Sequence, residues 1–236
     1  LNINQEPNMT WVKICGTTNL EDALTAVHVG ADALGFVFYE KSPRKIDAEA
    51  AREIVSQLPT NVEKVGVFVN ESPARMTEIA RQVGLTAFQL HPGTLATKTD
   101  AATGWDSGSG KKIYLALPAA PFFEQKIQWA PSGAGLANRT EGIAAIFLDS
   151  GTEQQPGGTG TTFDWGKAAP VVAAMSEDTH VVVAGGLNPS NVSDAIRMLH
   201  PWGVDVASGV EARPGKKDPE KVRAFVQAVR RAEKST

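Results

Sequence analysis

The 236-residue chain contains a single cysteine, and its neighbours give it a chemical setting. Cys15 closes the run WVKICG at Trp11 to Gly16. Val12 and Ile14 are β-branched and suit a strand, whereas Lys13 and Cys15 alternate with them onto its opposite face. The thiol therefore sits at a strand's end, where Gly16 breaks the run. Residue type alone assigns it no chemistry, because a free cysteine is ordinarily a small buried hydrophobe. Other polar groups recur at the same kind of place: Arg44 in EKSPRKI, Gln89 and His91 in AFQLH, and Asp149 at the end of AIFLD. Two further runs end in small residues, Gly185 and Gly186 in AGGLNPSNV, and Ser208 and Gly209 in ASGVE. Short loops of this composition leading into helices present backbone N–H groups to an anion, which implies a phosphorylated substrate. Each glycine pair alone is equally what a tight turn needs. A third glycine-rich run, QPGGTGTTFDW, brings Gly157, Gly158, Thr159 and Gly160 together. It reads as a phosphate-touching, closing loop or, on composition, a flexible linker. Asp149, just before Ser150 and Gly151, has its own bland reading as a turn residue.

Elements must hold these groups in common. Strand-like apolar runs lie at Trp11–Cys15, Ala33–Phe38, Lys64–Val69, Ala87–Leu90, Lys112–Leu117, Ala145–Asp149, His180–Gly186 and Gly203–Gly209. Helical spacing follows most of them: Leu20, Ala23, Leu24 and Val27 after Thr18 or Asn19, then Ala48–Leu58 after Asp47 and Ala74–Val83 after Ser72 with Pro73 in its first turn. Further on come Trp165–Met175 after Asp164, Val192–Leu199 after Ser190, and Pro219–Ala232 after Asp218. Strand then helix, repeated eight times at this length, fits a (β/α)8 TIM barrel with a parallel sheet better than an open doubly wound sheet. In such a barrel the carboxyl ends of the strands carry the site, and loops after the last two strands commonly hold phosphate. The beat weakens between His91 and Lys112, where Gly, Thr and Ser dominate, so the fourth crossover helix is expected to be short or lost. The fifth is expected over Phe122–Trp129, followed by a loose linker.

Composition bounds the partners. The formal charge is -3 and no polybasic stretch occurs, which argues against nucleic acid and membrane surfaces. One cysteine cannot form an internal disulfide, no apolar run approaches bilayer length, and the amino end lacks a signal pattern, so the chain reads as cytoplasmic. Residues 1–10 are polar and patternless, with Met9 a candidate start, and read as a disordered tail; residues 11–236 read as one barrel domain. No exposed apolar stripe decides between monomer and homodimer.

In order along the chain, KICG, GFVF, SPR, VGVFVN, QLH, LD with GGTGTTFDW, GGLNPSNV and ASGVEARPGKKD resemble the phosphoribosylanthranilate isomerase family of tryptophan biosynthesis, from Val12 to about Phe225. The resemblance implies an Amadori rearrangement of N-(5-phosphoribosyl)anthranilate, with no metal and no cofactor. It implies Cys15 as general base, Asp149 as general acid, Arg44 as the clamp on the anthranilate carboxylate, and Gln89 and His91 as substrate contacts. The phosphate then falls to Gly158, Thr159, Gly160, Gly185, Gly186, Ser208 and Gly209. Proton transfer requires Cys15 to be lowered toward a thiolate and Asp149 to be raised so that it holds a proton, two opposite shifts. Strand parity puts Lys13 and Asp205 on inward faces of neighbouring strands in a closed barrel, so an internal ion pair near Cys15 is expected; the resemblance, which places an acidic residue there within the active site, implies a direct substrate contact as the alternative role of Asp205. Two departures stand out: QLHPG in place of QLHG, where Pro92 confines His91 to extended conformations, and Ala207 where the family has serine. A catalytically silent phosphate-binding barrel, or another phosphosugar enzyme of the histidine or tryptophan pathways, would share the loops. The histidine-pathway isomerase, by resemblance, would carry a carboxylate where this chain has Cys15.

Overall fold

A computed structural model describes residues 9–91, 110–124, 142–151 and 160–234. Eight parallel strands close in chain order: β1 (Trp11–Cys15), β2 (Ala33–Val37), β3 (Glu63–Val69), β4 (Ala87–His91), β5 (Lys112–Pro118), β6 (Ala145–Asp149), β7 (Val181–Val183) and β8 (Gly203–Val206), with β8 returning to β1. The helices are α1 (Leu20–His28), α2 (Ala48–Val55), α3 (Pro73–Val83), α4 (Ala120–Phe123), α5 (Trp165–Ser176), α6 (Val192–Leu199) and α7 (Pro219–Glu233). The expected (β/α)8 barrel is thus the architecture. A two-stranded antiparallel hairpin, β9 (Glu211–Arg213) and β10 (Lys216–Lys217), is added after β8. The expected loss of the fourth crossover helix falls on 92–109 and lies outside the described residues; the fifth helix, expected over Phe122–Trp129, starts two residues earlier, at Ala120, and residues 125–141 of its crossover lie outside the described residues.

Local chemistry accounts for most boundaries. Side chains of Asn19, Asp47, Ser72, Asp164 and Asp218 accept from the first-turn amides of their helices, which satisfies donors that have no intrahelical partner. Met76, Ile79, Ala80 and Val83 of α3 fall on one face and are buried, the 3.6-residue spacing of a helix laid on a sheet. Ser190 does not cap α6. Its N–H and hydroxyl both reach Asn188 Oδ1, and Asn191 stands at the cap position without a side-chain capping bond. Strands β7 and β8 are shorter than the apolar runs suggest, because Gly185 and Gly186 turn to φ +79° and +65° and Ser208–Val210 coils into a 3-10 turn.

The core has three parts. The largest packs helices against the outer face of the sheet. Inside the barrel, Ala33, Val65, Ala87, Tyr114, Ala116, Ala145, Phe147 and Val182 form an apolar layer, closed at the amino end by Trp11 stacked on Trp202 at 5.2 Å. Toward the carboxyl end the inner layer is Cys15, Val37 and Val67, with Tyr39 and Ala207 against it. Of the polar tail, Thr10 is buried: its N–H donates to Glu233 at 2.6 Å, and its carbonyl accepts from Arg230 at 2.7 Å. Among the described residues no helix is long and apolar enough to cross a membrane.

Candidate active site

Between the two inner apolar layers lies an ion pair. Lys13 and Asp205 are register partners on β1 and β8, and their charged ends meet at 2.9 Å with side-chain exposures of 0% and 9%. The Lys13 ammonium also lies 5.5 Å from the centre of the Phe147 ring, a cation–π contact. The expected internal pair is therefore present, and parity plus closure is its cause.

Cys15 stands one inward position above Lys13, at the end of β1. Its neighbour across β2 is Gly35, and a Cβ there would sit 2.7 Å from the Cys15 sulfur and 3.0 Å from Lys13 Nζ. The missing side chain at 35 is the space that the thiol and the ammonium share. Gly35→Ala is expected to cost about 1–3 kcal/mol by overpacking and to lower kcat by about 10²-fold through displacement of the thiol; thermal unfolding and steady-state kinetics together check it, and unchanged kcat would dismiss the crowding.

Asp149 ends β6, and its Oδ1 accepts the Gly151 N–H at 2.7 Å. Burial pushes its carboxyl up and the Gly151 bond pulls it down; Asp205 then pushes up and Lys13 pulls down, leaving it raised to about 6. Cys15 feels the same two charges. Burial pushes the thiol up, Lys13 pulls it down, Asp205 pushes it up and Lys217 pulls it down, and the balance lies above the ordinary thiol range. The two expected shifts are thus not opposite: Asp149 moves as required, whereas Cys15 moves up instead of down. The reason is that the barrel interior removes water from the sulfur more effectively than two lysines, one of them already matched by Asp205, can compensate. Burial likewise lowers Lys13, but Asp205 and Cys15 outweigh it and the ammonium stays charged.

Arg44 reaches the mouth from the loop after β2, its stem lying over Gly16, where φ is +77°. Its Nε and Nη2 each donate to Glu211 at 2.8 Å, a two-pronged fork. Burial raises the Glu211 carboxyl, but Arg44 and Lys217 more than reverse it, and it lies below the usual range. Lys217 is 1% exposed and donates to Glu211, to the Cys15 carbonyl and to the Ala207 carbonyl. Glu211 and Lys217 belong to the ASGVEARPGKKD run but received no role from sequence reasoning. The signal was a lone Glu followed six residues later by Lys across a Pro-Gly turn, a hairpin that returns both charges to one place. Lys45 pairs with Glu40 at the surface, as an ordinary exposed charge.

Gln89 and His91 share the inward face of β4, with Gln89 Nε2 3.2 Å from His91 Nε2. Gln89 is 2% exposed, and its Oε1 has no hydrogen-bond partner among the described residues. Three glycine-bearing loops converge beside them. A Cβ on Gly185 would strike Ser150, one on Gly186 would strike Thr161, and one on Gly209 would strike Leu187, so the loops after β6, β7 and β8 are in contact. Asn191 holds the middle loop, accepting from Asn188 N–H at 2.8 Å and donating to the Gly186 carbonyl at 3.0 Å. Gly160, Gly185, Gly186, Ser208 and Gly209 are thereby brought to one side of the mouth. Gly158 and Thr159 lie outside the described residues.

Fold and site together define the class, a (β/α)8-barrel enzyme with a thiol and a raised carboxyl at the strand ends, both desolvated by burial and both acted on by one internal ion pair. A sequence profile of N-(5'phosphoribosyl)anthranilate (PRA) isomerase matches residues 12–228, and this chain belongs to that family. The N-(5'-phosphoribosyl)anthranilate isomerase of Chlorobaculum tepidum is 40% identical over 96% of this chain and 98% of its own length. The crystal structure of phosphoribosyl anthranilate isomerase from Thermotoga maritima aligns over 94% of this chain and 99% of its own, at TM-score 0.77 and 39% identity. A phosphoribosyl anthranilate isomerase structure in complex with reduced 1-(o-carboxyphenylamino)-1-deoxyribulose 5-phosphate is 38% identical at TM-score 0.74, with coverages of 94% and 99%.

Proposed function

We propose that this chain converts N-(5-phosphoribosyl)anthranilate into 1-(2-carboxyphenylamino)-1-deoxyribulose 5-phosphate in tryptophan biosynthesis. Family membership supports the activity, and so does the ligand held by the 38%-identical relative, a reduced form of that product. The observation that carries the mechanism is the placement of Cys15 and Asp149 at the carboxyl ends of β1 and β6, with the Lys13–Asp205 pair inside the barrel acting on both.

Asp149 protonates the furanose ring oxygen, the C1–O bond breaks, and the amine nitrogen supplies the electron pair that makes the iminium. Cys15, as thiolate, removes the proton from C2; the C2–H electrons form the C1–C2 double bond and neutralise the nitrogen. The resulting enolamine tautomerises to the aminoketose. Arg44, aimed by Glu211, meets the anthranilate carboxylate, and Gln89 Oε1, which has no partner among the described residues, accepts a sugar hydroxyl. His91 orients the Gln89 amide. The loops of Gly160, Gly185, Gly186, Ser208 and Gly209 take the phosphate through backbone N–H groups.

In the free enzyme the acid titrates at about 6 and the base titrates above the usual thiol range. The productive form, with Asp149 protonated and Cys15 ionised, is therefore the minor one of two singly protonated states. Its share is constant between the two pKa values and falls outside them, so kcat/KM is expected to be bell-shaped. The acid limb lies near 6 and belongs to Asp149, and the alkaline limb lies above the ordinary thiol range and belongs to Cys15. Loss of substrate fluorescence, followed from acid to alkaline pH for the native chain, Cys15→Ser and Asp149→Asn, tests this. Full activity in both variants would end the mechanism, and no turnover by the native chain would end the assignment.

A further inference from the structure

Lys217 is among the most deeply buried charges in the described residues, and the proposed chemistry leaves it without a task. Its ammonium donates to the Cys15 carbonyl at 2.6 Å, to Glu211 Oε1 at 3.1 Å and to the Ala207 carbonyl at 3.2 Å, which uses all three donors of a lysine. Two of these oxygens come from the carboxyl ends of β1 and β8, the strands whose pairing closes the barrel. The third belongs to the carboxylate that holds Arg44. The backbone is fixed as well, since Lys217 N–H donates to Asp22 Oδ2 at 2.7 Å from the first turn of α1.

A strut between hairpin and barrel would not need a charge. Burying an ammonium against neutral carbonyls is costly, and Glu211 already has the Arg44 fork as a counter-ion, so an apolar side chain of similar length would tie the hairpin down with less desolvation. What a cation at this point adds is positive potential behind the sulfur. The charged groups around Cys15 come from several elements: Lys13 on β1 itself, Asp205 on β8 and Lys217 on β10, with Glu211, Arg44 and Asp22 set behind Lys217. Asp205 pairs with Lys13 and still pushes the thiol up. Lys217 is the second cation acting on the thiol, and the influence is mutual: burial lowers its ammonium below the usual lysine range, and Glu211 first and then Cys15 hold its proton against that pull.

We propose that Lys217 is a positioning residue for the Cys15 base: its ammonium fixes the carbonyl at the end of β1, sets the direction of the thiol, and stabilises the thiolate that must form for C2 proton removal. The proposal rests on the isomerase reading for its catalytic consequence but not for the coupling between Lys217 and Cys15. Cys15 is the only cysteine in the chain, so ultraviolet absorbance of the thiolate follows this one group without any substrate.

The test compares the full native chain with Lys217→Met, Lys217→Gln and Lys217→Arg. In Met and Gln the thiolate midpoint is expected to rise by about one pH unit or more, the effect of losing a nearby opposite charge. Their kcat at neutral pH should fall by roughly tenfold or more for want of the ionised base, with KM for phosphoribosylanthranilate little changed. Lys217→Arg keeps the charge and should restore most of the midpoint. Should the Met variant fail to fold by circular dichroism, Gln, which keeps a hydrogen-bond donor, carries the comparison. An unchanged midpoint in a folded neutral variant, a midpoint that moves equally in Arg, or a loss confined to KM would overturn the proposal. A native chain that does not turn over substrate, while its thiolate still responds to Lys217, would instead overturn the isomerase reading and leave the coupling standing.

Discussion

Asp149→Asn is expected to lower kcat by about 10²–10⁴-fold, the ordinary contribution of a positioned acid, and at the same time to make the protein more stable at pH 8. The second half follows from the first cause. The folded carboxyl titrates at about 6 and the unfolded one at about 3.9, so between those values the native state binds the proton more tightly. The stability this lends is fully present below about pH 4 and is lost as pH rises through 6. The gap between the folded and unfolded midpoints corresponds to roughly 3 kcal/mol at most, and the partial exposure of Asp149 brings that to about 1–2 kcal/mol. Asparagine removes the charge yet keeps an oxygen for the Gly151 N–H, so little is lost at low pH. Urea unfolding of both proteins at pH 4 and pH 8 separates the cases. Equal destabilisation at the two pH values, with activity retained, would make Asp149 a turn residue and nothing more.

Lys13→Met is expected to cost about 3–5 kcal/mol, because it strands Asp205 as an unpaired charge inside the barrel. The companion double variant, Lys13→Met with Asp205→Leu, should recover most of that stability and none of the activity. The two single variants should also move Cys15 in opposite directions. Without Lys13 the Asp205 carboxylate pushes the thiol further up, whereas Asp205→Asn removes that push and eases both Cys15 and Asp149 downward. A double-mutant cycle on denaturant midpoints, read alongside the thiolate titration, measures both effects. A cost below about 1 kcal/mol for Lys13→Met, within the range of a solvated surface pair, would show that water reaches the two charges.

Features that depend on near neighbours were legible in the order of residues. Apolar alternation set the strands, and AIFLD became β6 over Ala145–Asp149 without adjustment. Asp47, Ser72, Asp164 and Asp218 cap their helices because a short oxygen-bearing side chain beside a first turn needs only local geometry. Even the Lys13–Asp205 pair was legible, since parity and barrel closure bring residues 192 apart in the chain into register. The direction in which Cys15 is shifted emerged only from the folded barrel, because it is a sum over burial and charges from β1, β8 and β10 whose signs disagree. The same holds for the Glu211 fork on Arg44, 167 residues away, and for Lys217, which reaches the Cys15 carbonyl across 202. A residue's spacing tells which face it occupies, but not how much water its neighbours remove or which charges they bring, and those two quantities set the proton chemistry of the site.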